Sequence, residues 1–340
     1  MLTTFALYAY TVLERLDARI YMELTDSELL YFVHNRLKLE KGKRGEFLAQ
    51  VDRLIEKFTA ASAGDEVINI KRFLKTGSLR KGTVLRPKGD FGVDADVAVF
   101  LNTNGSSAYD LANLHDRIRK LLKKIYPTKK LEDFTVQPRT LGIQFHDSGL
   151  AMDLVPLIPI DGPGDYGWQP SSRGEAPVKT SVAKQLEFIR TRRNAYRNFT
   201  ALVRMLKSWR NFHELDDSLR SFTIELIVCH LQDTEGVPGT LEDGLLRFFL
   251  FIARTELKEA ITFAECGNVN SFPKDRVVIL DPCNAENNVG RKITDQDCTS
   301  IVAKTREAWE TLSYASNHGG KVQTLELWKE VFGRSFVIEE

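Results

Sequence analysis

The fold of this 340-residue chain is decided by the stretch TGSLRKGT at residues 76–83 and the run VDADVAVFL at residues 93–101. Side chains two residues apart on a strand point to the same face of the sheet. Asp94 and Asp96 therefore share one face, and the valines and alanines of the run form an apolar face opposite them. Paired carboxylates on a strand with one buried face are suited to hard divalent cations, which prefer oxygen ligands.

A third carboxylate that completes such a site is Asp153, the one acid in the apolar run GLAMDLVP at residues 149–156. An ionised aspartate in a buried strand is costly unless it is paired or bound to a metal. Three carboxylates beside the turn at Gly77 and Ser78 fit phosphoryl transfer, in which metal ions and loop amides hold the phosphates. A lone Gly-Ser pair is commonly a turn and a lone Asp-x-Asp a solvated strand end, so the prediction rests on their order along the chain.

Hydrophobic periodicity indicates helices before this region. The spacing of apolar residues predicts an amphipathic helix over residues 3–22. Thr25 and Glu28 have the form of a capping box, so a second helix should start near Asp26. Its apolar pattern continues, whole or once broken, to about residue 61, and we expect this helix to lie along the body as a spine.

The middle of the chain has the pattern of short strands, and the second half has the pattern of helices. The β-like runs occupy residues 67–73, 93–101, 134–139, 141–145 and 150–158, with one helix at 109–126. Residues 161–179, rich in glycine and proline, are expected to form a loop that joins two lobes. Helical periodicity follows over residues 181–212, 220–233, 241–265, 294–316 and 323–332. The sequence therefore predicts an α/β (α+β) protein with an N-terminal helical spine (1–65), a sheet domain (66–179) and a C-terminal α-helical lobe (180–340).

Composition and charge exclude several classes of protein. The 47 basic and 46 acidic residues leave a formal charge of +1, which provides no overall field for nucleic acid or an anionic membrane. Apolar stretches are far shorter than the roughly 18 residues of a membrane span, and the N-terminus lacks the pattern of a signal peptide. The 4 widely spaced cysteines fit neither a disulfide framework nor a zinc site. We therefore expect a cytoplasmic protein with reduced thiols and no membrane contact.

The order of the motifs, Gly77 and Ser78, then Asp94 and Asp96, then the distant Asp153, resembles that of the polymerase-β-like nucleotidyltransferases. Within that group the chain is similar to the cGAS/DncV-like nucleotidyltransferases (CD-NTases) of bacteria and their relatives, the 2′-5′-oligoadenylate synthetases. The segments that carry this narrower resemblance are LVRMLKSW at residues 202–209, SFTIEL at 221–226, and VILDP with NNVG between 278 and 290. The resemblance implies a polymerase-β-like sheet domain closed by the helical lobe, with nucleotides bound between them.

The resemblance also implies an activity and its cofactors. Bacterial CD-NTases join nucleoside triphosphates, ATP among them, into a cyclic di- or trinucleotide that signals phage infection (CBASS signalling). Two Mg²⁺ ions, with Mn²⁺ as an alternative, would be held by Asp94, Asp96 and Asp153. Synthesis of linear oligoadenylate or RNA tailing is the close alternative, and a non-catalytic nucleic-acid-binding module on the same fold is the more distant one.

Nucleotide binding is predicted for Gly77, Ser78, Lys207, Ser221, Phe222 and Asp281. The resemblance gives Lys207 and Ser221 a phosphate-binding role and Phe222 a stacking role against a base. Each also has an ordinary alternative: Lys207 as a surface lysine with a buried stem, Ser221 as a helix N-cap, and Phe222 as a core residue. Asp281 and Asn288 flank a proline turn, and turn chemistry alone explains them equally well.

Three further features bear on partners and product. Basic runs at residues 38–44 and 117–130 are interpreted as solvated helix faces, with binding of an activating nucleic acid as the alternative. Trp168, in the segment rich in glycine and proline, is either a lid over the cleft or a loop anchor. The C-terminal FVIEE does not resemble the small-residue tail of CD-NTases that are conjugated through their C-terminus. We therefore expect control by a non-covalent partner, such as a HORMA-type or other regulatory protein, or constitutive activity.

Overall fold

A computed structural model describes most of the chain. The described residues are 24–65, 68–87, 92–102, 113–162, 164–267, 269, 273–317 and 320–339. The helix expected over residues 3–22, and the start of the one expected over 109–126, lie outside these ranges.

The spine is a helix broken once, as its sequence pattern allows. Helix α1 (Asp26–Phe32) begins where the capping box predicts: the Thr25 hydroxyl accepts from the Glu28 amide at 3.3 Å, and the Glu28 carboxylate accepts from the Thr25 amide at 2.9 Å. A π-helical turn extends α1 to Leu37. The break comes at Gly42, whose φ of +92° is one that L side chains rarely adopt, and α2 (Lys43–Ser62) follows.

The sheet places β2 beside β5 at its centre, in the order β1-β2-β5-β4-β3. The strands are β1 (Asn69–Thr76), β2 (Val93–Asn102), β3 (Phe134–Val136), β4 (Leu141–Phe145), β5 (Leu150–Pro159), β6 (Gly167–Gln169) and β7 (Val178–Thr180). The short helix α3 (Gly77–Lys81) follows β1, and α4 (Leu114–Ile125) connects β2 to β3. Apolar residues of α2, α4 and one sheet face form a continuous core, which leaves the opposite face of β2 and β5 for the carboxylates.

The expectation that residues 161–179 form a loop is wrong in part. Strand β6 pairs with the end of β5, with Trp168 opposite Ile158, and β7 pairs with β6. Each of these strands is 3 residues long and is flanked by glycine or proline. The sequence shows the turns that interrupt the segment, but three residues are too few to produce a detectable alternation.

The second half of the chain is helical. Its helices are α5 (Val182–Ala195), α6 (Phe199–Phe212), α7 (Ser221–Glu235), α8 (Leu241–Thr255), α9 (Asp295–Asn317) and α10 (Lys321–Phe332), with the hairpin β8 (Leu280–Asp281) and β9 (Asn284–Asn288) before α9. Two predicted helices have different bounds. The stretch 181–212 is two helices with a break after Ala195, and the stretch 241–265 ends at Thr255, where Glu256 takes a left-handed φ of +52°.

Among the described residues no helix is long and apolar enough to cross a membrane. All four cysteines, Cys229, Cys266, Cys283 and Cys298, are free thiols.

The C-terminal segment is fixed in the helical core by Phe336, which is 0% exposed. Its ring lies 4.8 Å from that of Phe32 and 5.2 Å from that of Trp328. Replacing Phe336 by alanine is expected to lower the free energy of unfolding by about 3–5 kcal/mol, because the cavity left cannot close fully. Urea unfolding measures this change. Val322→Ala, at a side chain 77% exposed, is the control and should change it by less than about 0.5 kcal/mol; an equal effect of the two variants would contradict the placement of Phe336.

Candidate active site

The three predicted carboxylates lie on the two neighbouring strands at the centre of the sheet. β2 and β5 are parallel neighbours, and their register places Asp96 directly beside Asp153. Burial raises the pKa of Asp96. Burial and the negative charges of Asp96 and Asp94 raise the pKa of Asp153 to about 6. The site therefore concentrates negative charge, and a bound cation would relieve the repulsion.

Two glycines make room for these carboxylates. Gly77 has a φ of +67°, and a Cβ built on it would lie 1.7 Å from Oδ2 of Asp96. Gly142 on β4 is opposite Asp153 in the sheet, and a Cβ there would lie 3.0 Å from Oδ1 of Asp153. The backbone at Gly77 thus approaches Asp96 as closely as a residue without a side chain allows.

The donor set fits divalent metal ions. Carboxylate oxygens are the ligands that Mg²⁺ prefers, and burial together with the charges of Asp96 and Asp94 raises the pKa of Asp153, a shift that a bound cation would offset. In the described part of the chain no three acidic, histidine or cysteine side chains converge closely enough to hold a metal ion as they stand. Asp94, Asp96 and Asp153 would have to draw together around an ion that they share.

The backbone after the Gly-Ser turn is held by basic side chains of the helical half. Arg193 donates to the carbonyl of Lys81 at 3.1 Å, and Arg204 donates to the carbonyls of Gly82 and of Val84. The ammonium of Lys207 donates to the carbonyl of Thr83 at 3.0 Å. Four consecutive carbonyls, 81–84, are therefore bonded to cations from α5 and α6.

Lys207 is buried and lies close to Asp94 and Asp96, which we call the acid pair. Burial lowers the pKa of its ammonium to about 8, while the charge of Glu225 opposes that shift. Lys207 in turn favours the ionised forms of Asp94 and Asp96. Its ammonium does not reach open solvent as that of an ordinary surface lysine does, and a phosphate group beside Asp94 would find this positive charge in place.

A carboxylate that the sequence analysis did not single out connects the Gly-Ser turn to the helical half. Glu225 on α7 is 0% exposed, forms an ion pair with Lys81, and accepts from the Thr83 hydroxyl at 3.0 Å. The Lys81 ammonium also lies 5.3 Å from the centroid of the Phe222 ring. Its charge opposes the rise that burial causes in the pKa of Asp96. Glu225 thus holds Lys81 between the acid pair and the aromatic ring.

Replacing Glu225 by alanine is expected to lower the free energy of unfolding by about 3–5 kcal/mol, since it leaves Lys81 as an unpaired, mostly buried charge. Chemical denaturation checks this value. Glu187→Ala provides the comparison, because Glu187 pairs with Arg190 at 3.3 Å on the surface, where an ion pair contributes at most about 1 kcal/mol. Equal losses in the two variants would contradict the buried role of Glu225.

The N-cap alternative for Ser221 is wrong. The N-cap residue of α7 is Arg220, and Ser221 is the first helical residue, with a hydroxyl that accepts from Arg210 at 3.1 Å. Ser221 therefore faces a guanidinium at the start of a helix, where an anion is also favoured. Phe222, next in the chain, is only half-buried, so one side of its ring remains accessible.

Two cavities meet at the acid pair. We call the first the Phe222 cavity; it has a volume of about 570 Å³ and is lined by Gly77, Lys81, Asp96, Phe222, Gln185 and Asn287 among others. We call the second the Lys207 cavity; it has a volume of about 590 Å³ and is lined by Ser78, Asp94, Lys207, Arg210 and Ser221 among others. Each volume is within the usual range for a small-ligand site. Asp96 and Asp94 thus stand between two spaces that could each hold a nucleotide.

Asp281 is in the wall of the Phe222 cavity, but its carboxylate is already fully engaged. The side chain is 0% exposed and accepts from the Cys283 amide at 2.9 Å, from Gln185 at 2.7 Å and from Asn287 at 3.1 Å. The bonds from Cys283 and Asn287 are the turn chemistry that the sequence allowed as one explanation, whereas Gln185 lies on α5, 96 positions away. Asn288 is likewise internal: its amide oxygen accepts from the backbone amides of Ile279 and Gly290.

The segment 161–179 forms part of the cavity wall without Trp168. Gln169, Arg173, Glu175 and Val178 line the Phe222 cavity, whereas Trp168 points to the other side of β6 and is 41% exposed. The structure therefore gives Trp168 no position over the cleft. The basic runs are engaged mainly with their own surroundings, since Arg119 pairs with Asp116 and Lys43 with Glu46.

These features define a class of protein: a nucleotidyltransferase with a sheet that carries three carboxylates, a Gly-Ser turn, and a helical lobe that closes over both. The chain is 37% identical over 319 residues to the CBASS oligonucleotide cyclase CdnC of Escherichia coli (strain KTE188), which covers 94% of this chain and 99% of that protein. It is 31% identical over 313 residues to the cyclic AMP-AMP-AMP synthase of Escherichia coli (strain MS 115-1), over 90% of this chain and 95% of that protein. The chain belongs to the CBASS oligonucleotide cyclases.

Solved structures agree with this assignment. The structure of Escherichia coli MS115-1 CdnC with ATP has a TM-score of 0.79 at 30% identity, over 92% of this chain and 99% of that one. The complex of the same CdnC with HORMA-deltaN has a TM-score of 0.76 at 29% identity, over 92% and 98%. No protein-family model matches the chain. The resemblance to the CD-NTases is confirmed, and the protein is an enzyme that synthesises cyclic oligonucleotides.

Proposed function

We propose that this enzyme joins nucleoside triphosphates, ATP among them, into a cyclic di- or trinucleotide in a reaction that depends on two Mg²⁺ ions. One observation carries the proposal: Asp96 lies beside Asp153 in the parallel register of β2 and β5. Asp94 and Asp96 in addition border two separate cavities. A reaction that joins two nucleotides needs a carboxylate-rich centre between two binding spaces.

Each residue of the site has a part in this reaction. Asp94, Asp96 and Asp153 would hold the Mg²⁺ ions, and Mn²⁺ has the same ligand preference. When bound, these ions lower the pKa of the attacking hydroxyl and offset the charge that develops on the phosphate. The amides of Gly77 and Ser78 bind the triphosphate, together with the basic side chain of Lys207.

The helical lobe supplies the remaining contacts. Phe222 stacks on a nucleobase, which any base permits. Ser221 binds a phosphate with its hydroxyl, at the start of α7. Asp281 acts through Gln185 and Asn287, which it orients, and does not itself touch the nucleotide.

The same centre performs every joining step, because within the described residues β2 and β5 carry one set of three carboxylates, Asp94, Asp96 and Asp153. The linear intermediate must therefore turn over so that its free hydroxyl faces the metals. Gln169, Arg173 and Glu175 wall one side of the Phe222 cavity, and this enclosure favours a short cyclic product over a growing strand. The similarity to the cyclic AMP-AMP-AMP synthase of strain MS 115-1 supports adenosine as a component of the product.

A regulatory partner is also part of the proposal. The solved complex of CdnC with HORMA-deltaN supports a HORMA-type protein as a non-covalent partner of this chain, and the enzyme would act in the cytoplasm. An activating nucleic acid at the basic runs of residues 38–44 and 117–130 is the alternative.

The test is incubation with Mg²⁺ and all four nucleoside triphosphates, followed by phosphatase treatment and mass spectrometry. The expected result is release of pyrophosphate and a phosphatase-resistant cyclic product of two or three nucleotides that contains adenosine. Phosphatase-sensitive ladders would identify a linear polymerase instead. Nucleic-acid binding without release of pyrophosphate would identify a non-catalytic module.

A further inference from the structure

The wall of the Phe222 cavity contains two amide side chains whose orientation is fixed from behind. Gln185 lies in the second turn of α5 and Asn287 lies on β9, and both are half-buried residues that line the cavity. Both donate to the same oxygen, Oδ2 of Asp281, at 2.7 Å and 3.1 Å. Their contacts with a single buried carboxylate set them apart from ordinary surface amides.

The chemistry of Asp281 decides which end of each amide faces the cavity. An ionised carboxylate only accepts hydrogen bonds, so it must receive the NH₂ group of Gln185 and the NH₂ group of Asn287. The Gln185 NH₂ group donates its second proton to the Thr180 hydroxyl, with Nε2 and Oγ1 3.4 Å apart. Because both NH₂ groups are turned toward Asp281, the carbonyl oxygens Oε1 of Gln185 and Oδ1 of Asn287 are turned away from its Oδ2. Neither oxygen has a hydrogen-bond partner within the described part of the chain.

We propose that Gln185 and Asn287 select the nucleobase in the Phe222 cavity by presenting two fixed acceptors to the amino group at the 6-position of a purine or the 4-position of a pyrimidine. Adenine carries such a donor at its 6-position and cytosine at its 4-position, whereas guanine and uracil carry a carbonyl oxygen there. An oxygen placed against these fixed acceptors would be repelled, and a base without the amino group would leave them unpaired. Adenine, which also offers the larger surface to Phe222, is the base that the cavity favours.

Asp281 is a positioning residue in this arrangement. If the amides were free to rotate, each could present either NH₂ or C=O and would accept adenine and guanine alike. The hydrogen bonds to Asp281 remove that freedom, so selectivity depends on a carboxylate that is 0% exposed. This inference rests on the proposed function, because it requires the Phe222 cavity to hold a nucleotide that is joined.

The experiment is a competition between ATP and purine riboside 5′-triphosphate, which differs from ATP only by lacking the amino group. The unaltered enzyme receives the two nucleotides in equal amounts with Mg²⁺, and mass spectrometry gives the ratio of the two nucleosides in the product. We expect adenosine to be favoured by about tenfold, the effect of one to two neutral hydrogen bonds. GTP and inosine triphosphate, with an oxygen at the 6-position, should be incorporated less well than purine riboside triphosphate.

The variants Gln185→Met and Asn287→Leu remove the acceptors while keeping similar side-chain volumes. In each, the ratio of adenosine to purine riboside should fall about threefold to tenfold, and incorporation of GTP should rise relative to purine riboside. Asn284→Ala is the matched control: Asn284 lies on the same hairpin, but it donates to the carbonyl of Lys179 and does not line the cavity. Its ratio should equal that of the unaltered enzyme.

Each outcome decides the proposal. A merely structural role of Gln185 and Asn287 would lower the use of both nucleotides together and leave their ratio unchanged, and that result overturns it. Equal incorporation of both nucleotides by the unaltered enzyme overturns it without any variant, so the test does not depend on whether the variants fold. Failure of the unaltered enzyme to release pyrophosphate from any nucleoside triphosphate would contradict the proposed function and this inference with it.

Discussion

Asp96→Asn is expected to lower the rate of pyrophosphate release from nucleoside triphosphates by about a hundredfold to a thousandfold. Asparagine has nearly the same shape as aspartate but lacks the charge that holds a divalent cation. Asp96 lies two residues from Asp94 on β2, beside Asp153 on β5, and borders the Phe222 cavity, so its charge is central to the proposed metal site. The same loss is expected for Asp94→Asn and Asp153→Asn. Steady-state pyrophosphate release at saturating Mg²⁺ measures it.

Folding of these variants provides the control. The pKa of Asp153 in the folded protein, about 6, lies above its ordinary value, so its ionised form destabilises the fold at neutral pH. Asp153→Asn removes that penalty, and the melting temperature should therefore rise by a degree or more while the activity is lost. Substantial activity in a well-folded Asp96→Asn protein would contradict the assignment of Asp94, Asp96 and Asp153, the acid triad, as metal ligands.

Gly77→Ala is expected to reduce activity by at least about a hundredfold, because a Cβ at this position would lie 1.7 Å from Oδ2 of Asp96. Either the carboxylate or the Gly-Ser turn must move, and a displacement of about 1 Å at a reacting centre costs about that much in rate. The two groups that must move are the ones proposed to hold the metal and the triphosphate.

A second glycine separates this effect from backbone strain. Gly82 has a φ of +77°, close to the +67° of Gly77, but no atom lies within 4 Å of a Cβ built on it. Gly82→Ala therefore carries the same backbone penalty, about 1 kcal/mol, without displacing Asp96. We expect Gly82→Ala to lose about 1 kcal/mol in urea unfolding and to keep its rate, and Gly77→Ala to lose its rate and at least as much stability. Similar rates in the two variants would show that strain alone governs this turn.

The sequence predicts the acid triad because strand alternation is local. Asp94 and Asp96 are two residues apart, so their shared face follows from the geometry of one strand. Asp153 is the lone acid in an apolar run, and the same signal is present in the mostly buried run SFTIELIVC at the start of α7, where Glu225 is the lone acid. An acid in such a run is costly to bury unpaired, so the sequence also contains the signal that Glu225 needs a partner.

Other parts of the site depend on contacts between distant segments. Glu225 and Lys81 are 144 positions apart, and Gln185 and Asp281 are 96 apart. No periodicity or spacing pattern relates such pairs, since their proximity depends on how the helical lobe packs against the sheet. Gly142 was missed for the same reason: its place opposite Asp153 is a matter of strand register.

The four carbonyls at residues 81–84 bear on how the enzyme releases its product. These carbonyls accept hydrogen bonds from Arg193 on α5 and from Arg204 and Lys207 on α6. Gly77, a few residues earlier in the chain, packs closely against Asp96 on the sheet. The sheet and the helical lobe are thereby fastened together along this edge of the cleft, and a hinge cannot open there without breaking charged hydrogen bonds. The segment that contains Gln169, Arg173 and Glu175 is joined to the hairpin β8–β9 by bonds between neutral groups, from the Tyr166 hydroxyl to the Cys283 carbonyl and from Asn284 to the Lys179 carbonyl. These bonds cost less to break, so we expect the cleft to widen there and a finished ring to leave by that side.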